Sequence, residues 1–186
     1  GAGVLSENAV TVAYSYIGPK LTYPIYYDGT IGQAKRHLTK TAEKINEKYS
    51  DIKAYISVNK ALVTQASAAI PIVPLYFAIL YKVMKVQGTH EGCIEQISRL
   101  FHEKLFVEKP VTDEQGRIRM DDWELSDEVQ DKVMECWKNV TTENVAELSD
   151  IDGYWQDFYQ MFGFHLDGVD YAKDVDLEVA IPSLEK

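Results

Sequence analysis

A chain of 186 residues that is 46% hydrophobic can bury one ordinary core, which excludes a disordered protein. Its net charge of −10 is unevenly laid down: residues 1–105 carry 12 Lys or Arg against 8 Asp or Glu, and residues 106–186 carry 7 against 21. The acidic back half excludes a phosphate-backbone partner, so no nucleic-acid role is expected, whereas the mildly basic front half suits an anionic ligand such as a dinucleotide or a coenzyme A ester.

Residues 10–16, rich in Val, Thr and Tyr, predict a strand that runs out into a turn at Ile17, Gly18 and Pro19. A helix is predicted over Thr30–Lys48, opened by a capping box between Thr30 and Gln33. At about 100° per residue, Ile31, Ala34, Leu38, Ala42, Ile45 and Tyr49 share one face, and Arg36, Lys40, Lys44 and Glu47 point the other way. Lys35 falls inside the apolar stripe. Two readings are open for it. Its methylenes can lie along the core while the ammonium reaches water, or the cation can be held beside the aromatic residues at 23–27, lowering a phenol pKa or holding a ribose. Tyr26 and Lys35 are separated by eight residues, a spacing that carries little alone, because Tyr76 and Lys85 share it within what reads as one continuous helix.

Residues 54–58 repeat the strand signal, completing a strand, helix, strand unit of the size a right-handed parallel crossover needs. This is half of a Rossmann-type sheet, whose chemistry collects at the carboxyl ends of the strands, here residues 16–18 and 59–67. Residues 61–81 carry no charge and are long enough to cross a bilayer, but Thr64, Gln65, Ser67, Pro71 and Pro74 argue for a strand exit followed by a buried helix, so no membrane span is expected. Pro74 and Gly88 bracket that helix at 74–87. Its line of Val73, Phe77, Tyr81 and Met84 is either core packing or the wall of an acyl tunnel.

Further helices are predicted over 91–106, 127–138, 142–147 and 153–162, with the pair His90-Glu91 read as a helix start. Cys93 and Cys136 match no metal spacing, so reduced thiols in a cytoplasmic protein, and no metal, are expected. No Gly-rich fingerprint follows a strand, and no Gly-x-Ser-x-Gly elbow, His-Glu-x-x-His helix or P-loop is present.

Several long segments then align in order: AYSYIGP at 13–19, Tyr26 with DGTIGQAK at 28–35, SVNKALVTQAS at 57–67, KVMK at 82–85 with HEGCIEQ at 90–96, RIRMDDW at 117–123, and GF at 163–164 with GVDY at 168–171. Together they resemble the trans-2-enoyl-CoA reductase family, which includes the FabV type of enoyl-acyl-carrier-protein reductase. The resemblance covers nearly the whole chain and implies an α/β fold: the C-terminal half of a Rossmann-type parallel sheet with a large, mostly helical C-terminal portion. It divides the chain into residues 1–70, the core with the catalytic pair, and residues 71–186, a helical substrate-binding region packed on it. The family's N-terminal half, with its phosphate loop, is expected to be absent here, and a fragment of this kind is not expected to turn over alone.

The resemblance further implies NADH-dependent reduction of the 2,3 double bond of a trans-2-enoyl thioester, on coenzyme A or acyl carrier protein, in fatty acid synthesis. The family's catalytic pair falls on Tyr26 and Lys35, with Tyr16 as a second hydroxyl on the thioester carbonyl. Lys35, Leu62, Val63 and Thr64 are expected at the nicotinamide end of NAD, and Tyr16, Ser67, Val73, Phe77 and Tyr81 along the substrate. The whole protein is expected to be a monomer. The competing reading is a non-catalytic acyl-thioester-binding or assembly module that needs a separate nucleotide-binding half; a third is a helical domain whose family likeness is ancestral only.

Overall fold

In a computed structural model, residues 3–178 and 180 are described. Strand β1 (Ala9–Ser15) leads through a 3-10 turn (Lys20–Thr22) and the short helix α1 (Tyr23–Tyr26) into α2 (Thr30–Lys48), which returns the chain to β2 (Ile52–Val58). The two strands pair in parallel, from Ala9 opposite Ile52 to Ser15 opposite Val58. Asn46 fastens the crossover: its side chain donates to the Ala54 carbonyl at 2.8 Å and accepts from the Ala54 amide at 2.7 Å. The parallel unit inferred from the hydrophobic pattern is therefore present. A third parallel strand, β3 (Arg117–Arg119), pairs with β2 and comes from beyond residue 70, where helices were expected. Three residues reading Arg-Ile-Arg are too few for an alternating pattern to register.

The helix over Thr30–Lys48 stands at its predicted bounds, but its predicted capping box does not form. Gly29, in extended conformation, occupies the cap position and carries no side chain, so Thr30 already lies within the first turn. The reciprocal box of this chain sits instead at Thr64 and Ser67, opening α3 (Gln65–Ala68).

Helix α4 (Val73–Gln87) is the centre of the core. Val73, Tyr76, Ile79, Leu80, Tyr81 and Met84 are fully buried, and α6 (Asp127–Asn139) and α8 (Ile151–Gln160) pack across it. Burial on nearly every face follows from a helix with almost no polar side. Helix α5 (Cys93–Arg99) is shorter than the predicted 91–106 because the chain continues as a π-helical segment over Leu100–Leu105. Glu91 is no helix-start residue: it is buried and holds Arg99 through two bonds of 2.7 and 2.8 Å. Helix α7 (Val145–Leu148) is a single turn before α8. Among the described residues, no helix is long and apolar enough to cross a membrane, and both cysteines are free thiols.

Candidate active site

Strand β1 ends by delivering Tyr16, and the chain then turns sharply at Gly18, whose φ of +72° suits glycine. A Cβ there would lie 2.5 Å from the Tyr16 hydroxyl and 2.3 Å from Thr22 Oγ1, so only glycine lets the turn fold back onto the tyrosine. The turn brings Tyr26 against Tyr16 edge to face, ring centroids 4.9 Å apart. Helix α2 then starts hard against Tyr27: a Cβ on Gly32 would sit 1.8 Å from the Tyr27 carbonyl oxygen. That approach places Lys35, one turn later, over both tyrosines. Its ammonium donates to the Tyr16 carbonyl and lies 4.7 Å from the centroid of the Tyr26 ring.

Burial lowers the Lys35 pKa to about 8. Tyr26 is buried, and burial, helped by Tyr154 nearby, raises its phenol above the ordinary tyrosine value. Of the readings open for the cation, a lowered phenol pKa is not what results at Tyr26: the ammonium lies over the ring face, and desolvation of the phenolate prevails. The Tyr16 hydroxyl, expected on a thioester carbonyl, instead donates to Glu124 Oε1 at 3.0 Å. Burial and the neighbouring carboxylate push the Tyr16 phenol well above its usual range.

The exit from β2 forms the opposite wall. It alternates as extended chain does: Ala61 and Val63 turn into the core, and Leu62 and Thr64 face a cavity of about 590 Å³. Val63, expected at the nicotinamide end of NAD, turns its side chain into the core cluster, and its amide donates to the Tyr81 hydroxyl at 3.2 Å. Ser67, Ile70, Tyr16, Tyr26 and Lys35 complete the cavity with the half-open apolar face of α2, where Ile31 is 41% exposed. A smaller hollow of about 240 Å³ meets it at Lys35 and is lined by Arg36, Lys40 and Arg117.

Val73, Phe77 and Tyr81, expected along the substrate, lie in the core cluster and not on the cavity wall. The Phe77 ring is spent against Tyr16, and that of Tyr81 against His90 and Lys60. The second tyrosine–lysine pair of the same spacing is divided as its helical placement implies: Tyr76 bonds Glu124 and Lys85 bonds Asp150. Two residues at the site escaped the sequence reading. Lys60, fully buried beneath the β2 exit, donates to the carbonyls of Ala61 and Glu91, and burial lowers its pKa to about 8. Glu124 sits in a run of acidic residues that reads as solvated surface.

A parallel β-α-β unit with a tyrosine and a lysine converging beside a cavity at the strands' carboxyl ends has the architecture of the ligand-binding end of a Rossmann-type unit. Residues 1–106 match the family described as the trans-2-enoyl-CoA reductase catalytic region, and residues 112–175 that described as the enoyl reductase FAD binding domain. The chain belongs to the trans-2-enoyl-CoA reductase family. It is 57% identical, over 98% of its length, to an enoyl-[acyl-carrier-protein] reductase [NADH] of Cytophaga hutchinsonii, and covers 47% of that protein. It is 54% identical to a trans-2-enoyl-CoA reductase of Euglena gracilis, covering 98% of this chain and 34% of that one. Among solved structures, the Treponema denticola trans-2-enoyl-CoA reductase in complex with NAD superposes with a TM-score of 0.89 at 50% identity, covering 93% of this chain and 44% of that one. The chain thus spans half or less of the length of these relatives.

Residues 112–175 do not fit a flavin dinucleotide. They carry 17 Asp or Glu against 5 Lys or Arg, and both arginines are already bound, Arg117 to Asp113 and Arg119 to Asp121. A diphosphate would meet net negative charge with no glycine-rich loop to cradle it.

Proposed function

We propose that this chain carries the catalytic and substrate-binding part of an NADH-dependent reductase of trans-2-enoyl thioesters, on coenzyme A or acyl carrier protein, serving fatty acid synthesis. The observation that carries the reading is the Lys35 ammonium, held between the Tyr16 carbonyl and the Tyr26 ring at the edge of the large cavity. The cavity fits the nicotinamide and ribose end of NADH, with an ammonium and the Thr64 and Ser67 hydroxyl groups beside apolar walls. Bound NADH supplies a hydride for the β-carbon of the enoyl group.

This chain's residues then act on charge and protons. Tyr26, protonated at neutral pH as any phenol is and held so more firmly by burial, donates to the thioester oxygen as enolate charge develops there, an interaction stronger in the transition state than in the ground state. Lys35 holds the ribose hydroxyls and keeps positive potential beside the phenol. Leu62, Thr64 and Ser67 line the nicotinamide and substrate side, with Ile70 along the acyl chain. Tyr16 contributes its ring as wall and its carbonyl as the anchor for Lys35.

The diphosphate and adenosine contacts fall to a nucleotide-binding half supplied outside this sequence, since no glycine-rich loop lies within it. The whole enzyme is read as a monomer, and as cytoplasmic, where two free thiols would stay reduced. The test is NADH oxidation with crotonyl-CoA by the full-length protein beside this chain alone. Turnover by the first and none by the second is expected. A full-length protein that oxidises no NADH with any enoyl thioester overturns the reading and favours a non-catalytic binding module.

A further inference from the structure

One carboxylate ties both walls of the cavity together. Glu124 is fully buried; its Oε1 accepts from the Tyr16 hydroxyl at 3.0 Å and the Tyr76 hydroxyl at 2.7 Å, and its Oε2 accepts from the Ala61 amide at 2.7 Å. Tyr16 follows β1 and Ala61 opens the exit from β2, so a single side chain bridges the two segments that leave the paired strands. Burying a carboxylate is costly even with three donors, and leucine would fill the same space among these side chains. The cost makes sense where the bonds do more than fill volume.

Tyr16 is the hub through which they act. Its hydroxyl is held by Glu124, its carbonyl receives the Lys35 ammonium, and its ring meets the edge of Tyr26 at 4.9 Å between centroids. Any swing of Tyr16 therefore moves the anchors of both catalytic candidates at once. We infer that Glu124 is a positioning residue of the reductase site, holding Tyr26 and Lys35 in place through Tyr16, and residues 62–64 through the Ala61 amide. The inference rests on the reductase reading above. Glutamine keeps the shape of the side chain, but with its oxygen on the Ala61 amide its NH2 faces the Tyr16 and Tyr76 hydroxyls, which must then turn their protons away, so Glu124→Gln weakens the clamp without opening a large void.

The experiment uses the full-length protein with NADH and crotonyl-CoA, comparing Glu124→Gln, Tyr16→Phe, the double variant and Asp122→Asn. Asp122 lies in the same segment but bonds Arg99 and Lys104, away from Tyr16, and so reports on segment stability alone. Glu124→Gln should lower kcat by about 10-fold or more and change KM for crotonyl-CoA by less than about 3-fold, the signature of lost transition-state geometry. Tyr16→Phe should do the same, and the double variant should lose no more than about 2-fold beyond the worse single, because both break one linkage. Asp122→Asn should keep kcat within about 2-fold of wild type.

A wild-type kcat in Glu124→Gln, losses that multiply in the double variant, or an equal loss in Asp122→Asn overturns the inference while the reductase reading stands. Wild-type protein without turnover overturns that reading, and the inference falls with it. Should Glu124→Gln fail to fold, Tyr16→Phe decides: it removes only the hydroxyl bond, and a wild-type kcat there overturns the inference.

Discussion

The Lys35 ammonium lies over the face of the Tyr26 ring, 4.7 Å from its centroid, and is anchored on the Tyr16 carbonyl. This geometry gives the phenol a cation–π neighbour, and burial of the phenol keeps its pKa above the ordinary tyrosine value all the same. Tyr26 remains a proton donor at neutral pH and Lys35 a cation poised to lose its proton just above it. Under the proposed function the two side chains divide the work: one carries the proton and the other the potential.

Removing either should be severe. In the full-length protein, Tyr26→Phe and Lys35→Met should each lower turnover of crotonyl-CoA with NADH by at least ~10²-fold, the scale of a positioned acid–base group. Near-normal rates in a folded Lys35→Met variant would discard the assignment.

The Lys35 pKa of about 8 makes its own prediction. The alkaline limb of the kcat/KM profile should fall near that value, since the cation is lost above it. For stability the sign is the reverse. Folding holds the Lys35 pKa below the unfolded value of about 10.4, so the unfolded chain binds more protons between the two, and stability rises with pH across that window. Wild type should therefore gain in Tm relative to Lys35→Met between about pH 7 and about pH 9.5. A Tm difference that does not change with pH counts against a desolvated ammonium.

Gly32 is the steric hinge of the site. With 1.8 Å available between a new Cβ and the Tyr27 carbonyl, Gly32→Ala must push α2 off the preceding turn. A loss on the order of 2–3 kcal/mol is expected from such overpacking, together with a turnover loss larger than stability explains, because Lys35 moves with the helix. Thermal melts and kcat measured on the same preparation check it; an unperturbed melt would show that the turn relaxes without strain.

Phe77 tests the boundary between core and cavity. Its ring is 2% exposed and packs on Tyr16 and Tyr76, so Phe77→Leu should cost about 1–2 kcal/mol and leave the preference among enoyl chain lengths unchanged. Ile70→Ala, on the cavity wall, should shift that preference. Chain-length profiles of both variants decide it: a shift at Phe77 with none at Ile70 would mean that the acyl chain runs along α4.

How far the site could be read from the residues differs with the range of the interaction. The parallel unit was legible because β1, α2 and β2 each carry their own period, and Lys35 stood out because a charge on an apolar face breaks a local pattern. The cap failed by one residue, since Gly29 and Thr30 both suit a helix start and the backbone at Gly29 chose between them. For Val73, Phe77 and Tyr81, core and tunnel demand the same apolar residues at the same spacing, and only the packing of α6 and α8 across α4 separated the two.

By itself the sequence determined what is periodic or local: the first two strands, the long helices, the turn at Gly18, and the misplaced lysine. The tertiary structure alone decided that the lysine rests on the Tyr16 carbonyl, that the Tyr16 hydroxyl turns to Glu124, 108 residues away, and that β3 joins the sheet. The reason is that a hydrogen bond across such a separation leaves no period in the chain. Its donor and acceptor look like any other tyrosine and glutamate until folding removes the water around them.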